Sequence, residues 1–252
     1  MIYSKPMRTP FVAANWKMHE PPVGAFVPES PYRSVEAIDI WVFPSFLDLH
    51  SARDHGLIVG AQCGRPDSQG AFTGDISMRM LADQRIQAVL CGHSERRLHH
   101  KEDDIMVAAQ AIAALEAGLH PIVCIGETAQ QRLEGKNKNI VRAQLEAIIP
   151  ILTSSDLIIA YEPVWAISGG NADLPAATPS DAQEMHAYIR SLLPTERQEK
   201  IRIIYGGSAK PENALALCRE PDVDGLLVGG ASLDPASFGH IVEAVMDAKG
   251  IS

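Results

Sequence analysis

The chain has little cysteine, few aromatic residues, no excess of positive charge and no long apolar run. Each shortage closes off a class of function. Four cysteines (Cys63, Cys91, Cys124 and Cys218) occur in 252 residues, and none forms a CxxC pair. That excludes a disulfide-stapled scaffold and a cysteine zinc site. Cys91 and Cys124 lie inside the apolar runs AVLCGH and PIVCIGE, where buried, reduced thiols are expected. Aromatic residues make up 6%, so Trp16 and Trp41 read as packing groups rather than stacking platforms. The formal net charge of -9 argues against a nucleic-acid or anionic-membrane surface. A small anion held in a locally positive site is still compatible with it. No run approaches the roughly 18 apolar residues of a membrane span. The opening MIYSKPMRTPFVAANWKM lacks the apolar core of a secretory leader. The expected setting is the cytoplasm. No HExxH pattern or carboxylate cluster points to a metal, and His99-His100 beside Lys101 reads as a solvated turn.

What is present is a repeating pattern. Eight short apolar runs end in polar residues or glycine: FVAANWK, IWVFPS, LIVGAQ, AVLCGHSE, PIVCIGE, LIIAYEP, IRIIYGGS and GLLVGG. Near-continuous apolar runs suggest strands covered on both faces, as in a parallel sheet. Helical spacing lies between several of them, in DDIMVAAQAIAALEAG, QQRLEG extending to IVRAQLEAIIPIL, SDAQEMHAYIRSLL, PENALALCRE and PASFGHIVEAVMDAKG. Ser180 is expected to cap one helix, Pro235 to open another, and Gly118 to end a third. This alternation predicts an α/β fold, a single (β/α)8 barrel occupying residues 1–252 as one domain. Residues 20–38 are the exception. Their four prolines, in EPPVGAFVPESPYR, predict a connecting helix that is broken, short or absent.

In such a barrel the chemistry gathers at the C-terminal ends of the strands. The residues placed there are Asn15 and Lys17, Ser45, Gln62, His93 and Glu95, Glu127, Glu162, Gly206-Gly207-Ser208 and Gly229-Gly230. Singly, each is an ordinary strand-ending polar group or turn glycine. Together they bring a carboxylate base, an imidazole and an ammonium to one rim. The two glycine-rich turns, YGGS and VGG, follow the last two strands, the usual place for a phosphate in a barrel. Proton transfer on a small phosphorylated molecule follows from these parts.

NWKM, GHSERR, PIVCIGET, YEPVWAI, IIYGGS and GLLVGGASL resemble the triosephosphate isomerase family, in that family's order over nearly the whole chain. The resemblance implies interconversion of dihydroxyacetone phosphate and D-glyceraldehyde 3-phosphate through an enediolate, in glycolysis and gluconeogenesis, with no cofactor or metal. It makes Glu162 the base and His93 the neutral imidazole that polarises the carbonyl. Lys17 would attract the substrate and stabilise the enediolate, assisted by Asn15, with Glu95 positioning Lys17. Backbone N–H groups of Ser168, Ser208, Gly229 and Gly230 would hold the phosphate. The loop after Glu162 resembles a lid that keeps water from the intermediate, which would otherwise shed its phosphate. Trp165 stands at its first hinge, Tyr205 would latch it, and Glu127 would support it. Glu102 resembles a buried structural acid. GAFTGDIS resembles a dimer loop, which implies a homodimer through residues 63–81 with Thr73 reaching the partner's rim near Asn15 and His93.

Three features depart from the family pattern. The lid reaches Thr178-Pro179 about four residues later. Ser168 and Asn171 replace a glycine and a lysine, and Cys63 replaces an asparagine. The third is the proline-rich segment 20–38. A longer lid would change what the site admits beyond the reacting carbons. Two other readings therefore share these residues: an isomerase of a four-carbon ketose phosphate, and a non-catalytic phosphate-binding barrel.

Overall fold

The structure, a computed structural model, describes residues 8–154, 156–167 and 177–251. Eight parallel strands close in sequence order into a barrel. They are β1 (Phe11–Asn15), β2 (Asp39–Phe43), β3 (Ile58–Ala61), β4 (Ala88–Cys91), β5 (His120–Ile125), β6 (Ile158–Tyr161), β7 (Arg202–Tyr205) and β8 (Gly225–Val228). Each coincides with one of the eight apolar runs, so the expected (β/α)8 barrel is the observed one.

Alternation along each strand sorts the side chains into two layers. Phe11, Trp41, Phe43, Leu90, Ile122, Ile158, Ile204 and Leu227 fill the barrel interior. Val12, Val42, Val59, Val89, Val123, Ile159, Ile203 and Leu226 face outward and pack beneath the helices. Both faces of every strand are thus covered, which is why the runs read as continuously apolar. Closure depends on Gly225. Its φ is +152° and a Cβ there would lie 1.9 Å from the Phe11 carbonyl oxygen, so β8 could not reach β1 with a side chain at this position. The N-terminal mouth is plugged by Trp41, edge-on to Phe11 at 4.9 Å, and by Arg202, which covers Phe11 and pairs with Asp39.

The helices are α1 (Leu49–Asp54), α2 (Met78–Asp83), α3 (Ser94–His100), α4 (Asp104–Glu116), α5 (Ala129–Leu133), α6 (Asn137–Ala147), α7 (Pro179–Leu192), α8 (Pro211–Arg219) and α9 (Pro235–Lys249). No helix forms between β1 and β2, as the prolines predict. The segment is anchored by Tyr32 instead. Its ring stacks on Phe238 at 4.7 Å and its hydroxyl donates to the Ser232 carbonyl at 2.6 Å. Three local expectations are corrected. Thr178, not Ser180, caps α7, because Asp181 completes a reciprocal capping box with it. QQRLEG does not continue into the next helix, because Gly135 turns left-handed (φ +68°) and separates α5 from α6. His99 and His100 form the last turn of α3, and the bend falls at Lys101, φ +59°.

Candidate active site

The C-terminal rim encloses a cavity of about 930 Å³ lined by Asn15, Lys17, His93, Glu95, Glu162, Ile167, Gly206 to Ser208, Gly229 and Gly230, among others. Asn15 ends β1, and its carboxamide oxygen accepts from the Lys17 backbone N–H at 3.0 Å. Gln62, just past β3, donates to the Lys17 carbonyl at 2.7 Å and to that of Phe43 at 2.9 Å. These bonds hold Lys17 at φ +51°, a left-handed conformation that costs a non-glycine residue of order 1–3 kcal/mol. The strain aims the side chain across the barrel. Its ammonium donates to Glu95 at 2.7 Å, and a Cβ built on Gly229 would lie 3.1 Å from Lys17 Cε. The cation therefore overhangs the glycine turn that follows β8. Burial pushes the half-buried Glu95 carboxyl up, but the hydrogen bond and charge of Lys17 outweigh it and hold Glu95 below the ordinary carboxylate range.

His93 is the N-cap of α3, and its Nδ1 accepts the Glu95 backbone N–H at 3.3 Å. A neutral ring accepts at one nitrogen only, so the proton belongs on Nε2. Asn15 Nδ2 also lies 3.5 Å from Nε2, a contact at the limit of hydrogen bonding that the directed backbone bond outweighs. Nε2 thus points an N–H into the cavity. Glu162 follows β6 and is 2% exposed. One carboxylate oxygen accepts the Ser94 backbone N–H at 2.8 Å. The other lies 3.1 Å from His93 Nε2 but makes no aligned hydrogen bond among the described residues, so it is open to a substrate proton. A base and three donors (imidazole, carboxamide and ammonium) share one secluded volume. That arrangement can remove a proton beside a carbonyl and stabilise the oxyanion that results.

A sequence model of the family described as Triosephosphate isomerase matches residues 10–245. The chain belongs to this family. It is 43% identical over 252 residues to the triosephosphate isomerase of Carboxydothermus hydrogenoformans, covering 94% of this chain and 99% of that one. Identity to the enzyme of Symbiobacterium thermophilum is 44% over 260 residues, covering 96% and 99%. For that of Chloroflexus aurantiacus it is 44% over 257 residues, covering 94% and 99%.

Asn15, Lys17, His93, Glu95, Glu162, Ser208, Gly229 and Gly230 all line the one cavity, as read from the sequence. Ser168 and Asn171 lie outside the described residues. Glu127 is fully buried beneath the rim, where it accepts from Trp165 Nε1 at 2.8 Å and the Tyr161 hydroxyl at 3.2 Å. The Tyr205 hydroxyl is buried without a partner among the described residues, close against Gly207. Ser45 turns away from the main cavity and donates to Asp48 at 2.6 Å. Glu102 is paired with Arg96 at 2.6 Å, a structural contact. Two contributors carry no signal of their role in the sequence. Gln62 reads in the sequence only as a strand-ending polar residue, and Ser94 acts through its backbone N–H, which no side-chain motif announces. Among the described residues no group of three or more His, Cys, Asp or Glu could hold a metal ion, and no helix is long and apolar enough to cross a membrane.

Proposed function

We propose that the protein interconverts dihydroxyacetone phosphate and D-glyceraldehyde 3-phosphate by proton transfer through an enediolate. The observation that carries this reading is the secluded Glu162 carboxylate, 3.1 Å from His93 Nε2, in the cavity that also holds Lys17 and the two glycine turns. Glu162 takes a proton from the carbon beside the carbonyl and returns it to the neighbouring carbon. His93 Nε2–H and the Asn15 amide polarise the carbonyl oxygen, and Lys17 balances the charge that develops on it. Glu95 keeps the ammonium in place. Backbone N–H groups at Ser208, Gly229, Gly230 and Ser168 receive the phosphate. Trp165, supported by Glu127, and Tyr205 hold the ends of the loop that keeps water from the intermediate. The triose is favoured over a four-carbon ketose phosphate because the relatives quoted above are all named for the triose enzyme. A coupled assay tests this. Dihydroxyacetone phosphate should turn over with the higher kcat/KM, and preference for a tetrulose phosphate, or phosphate binding without turnover, would overturn it.

The working form is read as a homodimer through residues 63–81. Arg65 ties this loop by ion pairs of 2.8 Å to Asp67 and Asp75 and packs 3.4 Å over the Phe72 ring. The bracing presents Phe72 and Thr73 outward. A second cavity, of about 520 Å³, lies among Met18, Phe46, Cys63, Arg96 and His99 and reaches Asn15, Lys17 and His93. A Thr73 tip from a second copy would fill it and press on the catalytic residues. The cytoplasm suits four free cysteines, three of them buried.

A further inference from the structure

One guanidinium touches both flanks of residues 168–176. Arg132, in α5, lies with its guanidinium carbon 4.3 Å over the Trp165 ring. Its Nη1 is 3.4 Å from Glu127, the carboxylate that accepts the Trp165 indole N–H. Its Nη2 donates to Asp181 Oδ1 at 2.6 Å. The other Asp181 oxygen accepts from the Thr178 backbone N–H at 3.0 Å and from its hydroxyl at 2.6 Å, so Asp181 also fixes the start of α7. Trp165, Arg132, Asp181 and Thr178 thus form a bridge from one flank to the other, outside the substrate cavity. A partly exposed ion pair alone is worth little. Here the planar cation stacks on an indole through its face while its edge pairs with carboxylates on both sides, which a lysine could not do at once. The hydrogen bond from the Thr178 hydroxyl, helped by the Arg132 charge, holds the Asp181 carboxyl below the ordinary value against the opposing effect of burial. The pair is therefore formed at neutral pH.

We infer that Arg132 is a positioning residue for the isomerisation. It couples the flank at Trp165 to the flank at Thr178 through Asp181, and acts on turnover without touching substrate. This rests on the function proposed above. The test compares Arg132→Met, Arg132→Lys, Asp181→Asn and the double variant Arg132→Met/Asp181→Asn. Asp181→Asn keeps an oxygen for the cap and removes the charge facing Arg132. In Arg132→Met, kcat/KM should fall about tenfold, mostly in kcat, with phosphate release per isomerisation rising several-fold. Arg132→Lys should recover part of the loss. Asp181→Asn should lose less, and the double variant should be no worse than Arg132→Met, the mark of one shared interaction. Activity and phosphate release within twofold of wild type in folded Arg132→Met, or strictly additive losses, would overturn the inference. A readout independent of turnover separates its failure from failure of the functional reading. The Trp165 indole N–H resonance should shift in Asp181→Asn, although Asp181 does not contact the indole, and an unmoved resonance would overturn the coupling.

Discussion

The barrel has a thinly clad side and a thickly clad one. After β1 there is no helix, and α1 and α2 are 6 residues each. After β6 and β8, α7 and α9 run 14 and 15 residues. The most exposed large apolar side chains, Val23 at 96% and Met18 and Leu47 at 94%, belong to the thin side. The residues that line the cavity come from both sides and from between them. Asn15 and Lys17 follow or end β1 on the thin side, Glu162 and Gly229-Gly230 follow β6 and β8 on the thick side, and His93 and Glu95 lie between them, after β4. The exposed apolar surface beside Asn15 and Lys17 is what the proposed second copy would cover.

Breaking the thick side should have the largest effect. Glu162→Gln should cost at least about 10²–10⁴-fold in kcat while phosphate affinity stays within about tenfold. Steady-state kinetics with phosphate inhibition measure both, and a variant keeping more than about a tenth of wild-type activity would move the base elsewhere. On the thin side, light scattering should give twice the 27.3 kDa chain mass. Thr73→Arg should yield a monomer with activity reduced up to about 10²-fold, because small displacements of catalytic groups cost that much. A fully active monomer would refute the need for a second copy.

A third expectation concerns the stability of the thick side. His186 on α7 is fully buried between Tyr161 and Tyr205, and burial lowers its pKa from 6.5 to about 4. Between those values the unfolded chain binds a proton that the folded chain refuses. Stability is therefore whole above about 6.5 and falls as pH drops towards 4, by up to about 3 kcal/mol. Thermal melts of His186→Gln should flatten that acid slope, and an unchanged slope would assign the acid sensitivity to other groups.

The strands and most of the rim chemistry were legible because each depends on a local pattern: an apolar run, then a polar or glycine residue where it ends. Helix boundaries were less so. T-P-S-D offers two capping residues, and only the reciprocal bond from Asp181 selects Thr178. The contacts of Gln62 with Lys17 and of Ser94 with Glu162 were invisible because they join backbone groups to side chains from distant strands. The same holds for Arg132, whose partner Asp181 lies 49 residues on. Its role depends on where α5 and α7 meet.

The most direct test of the central claim follows the proton. Wild-type protein should convert dihydroxyacetone phosphate in heavy water to glyceraldehyde 3-phosphate carrying deuterium at the carbon that receives the proton, and Glu162→Gln should show almost none of this exchange. Nuclear magnetic resonance of the product measures it. Isomerisation and exchange undiminished in Glu162→Gln would contradict proton transfer by Glu162.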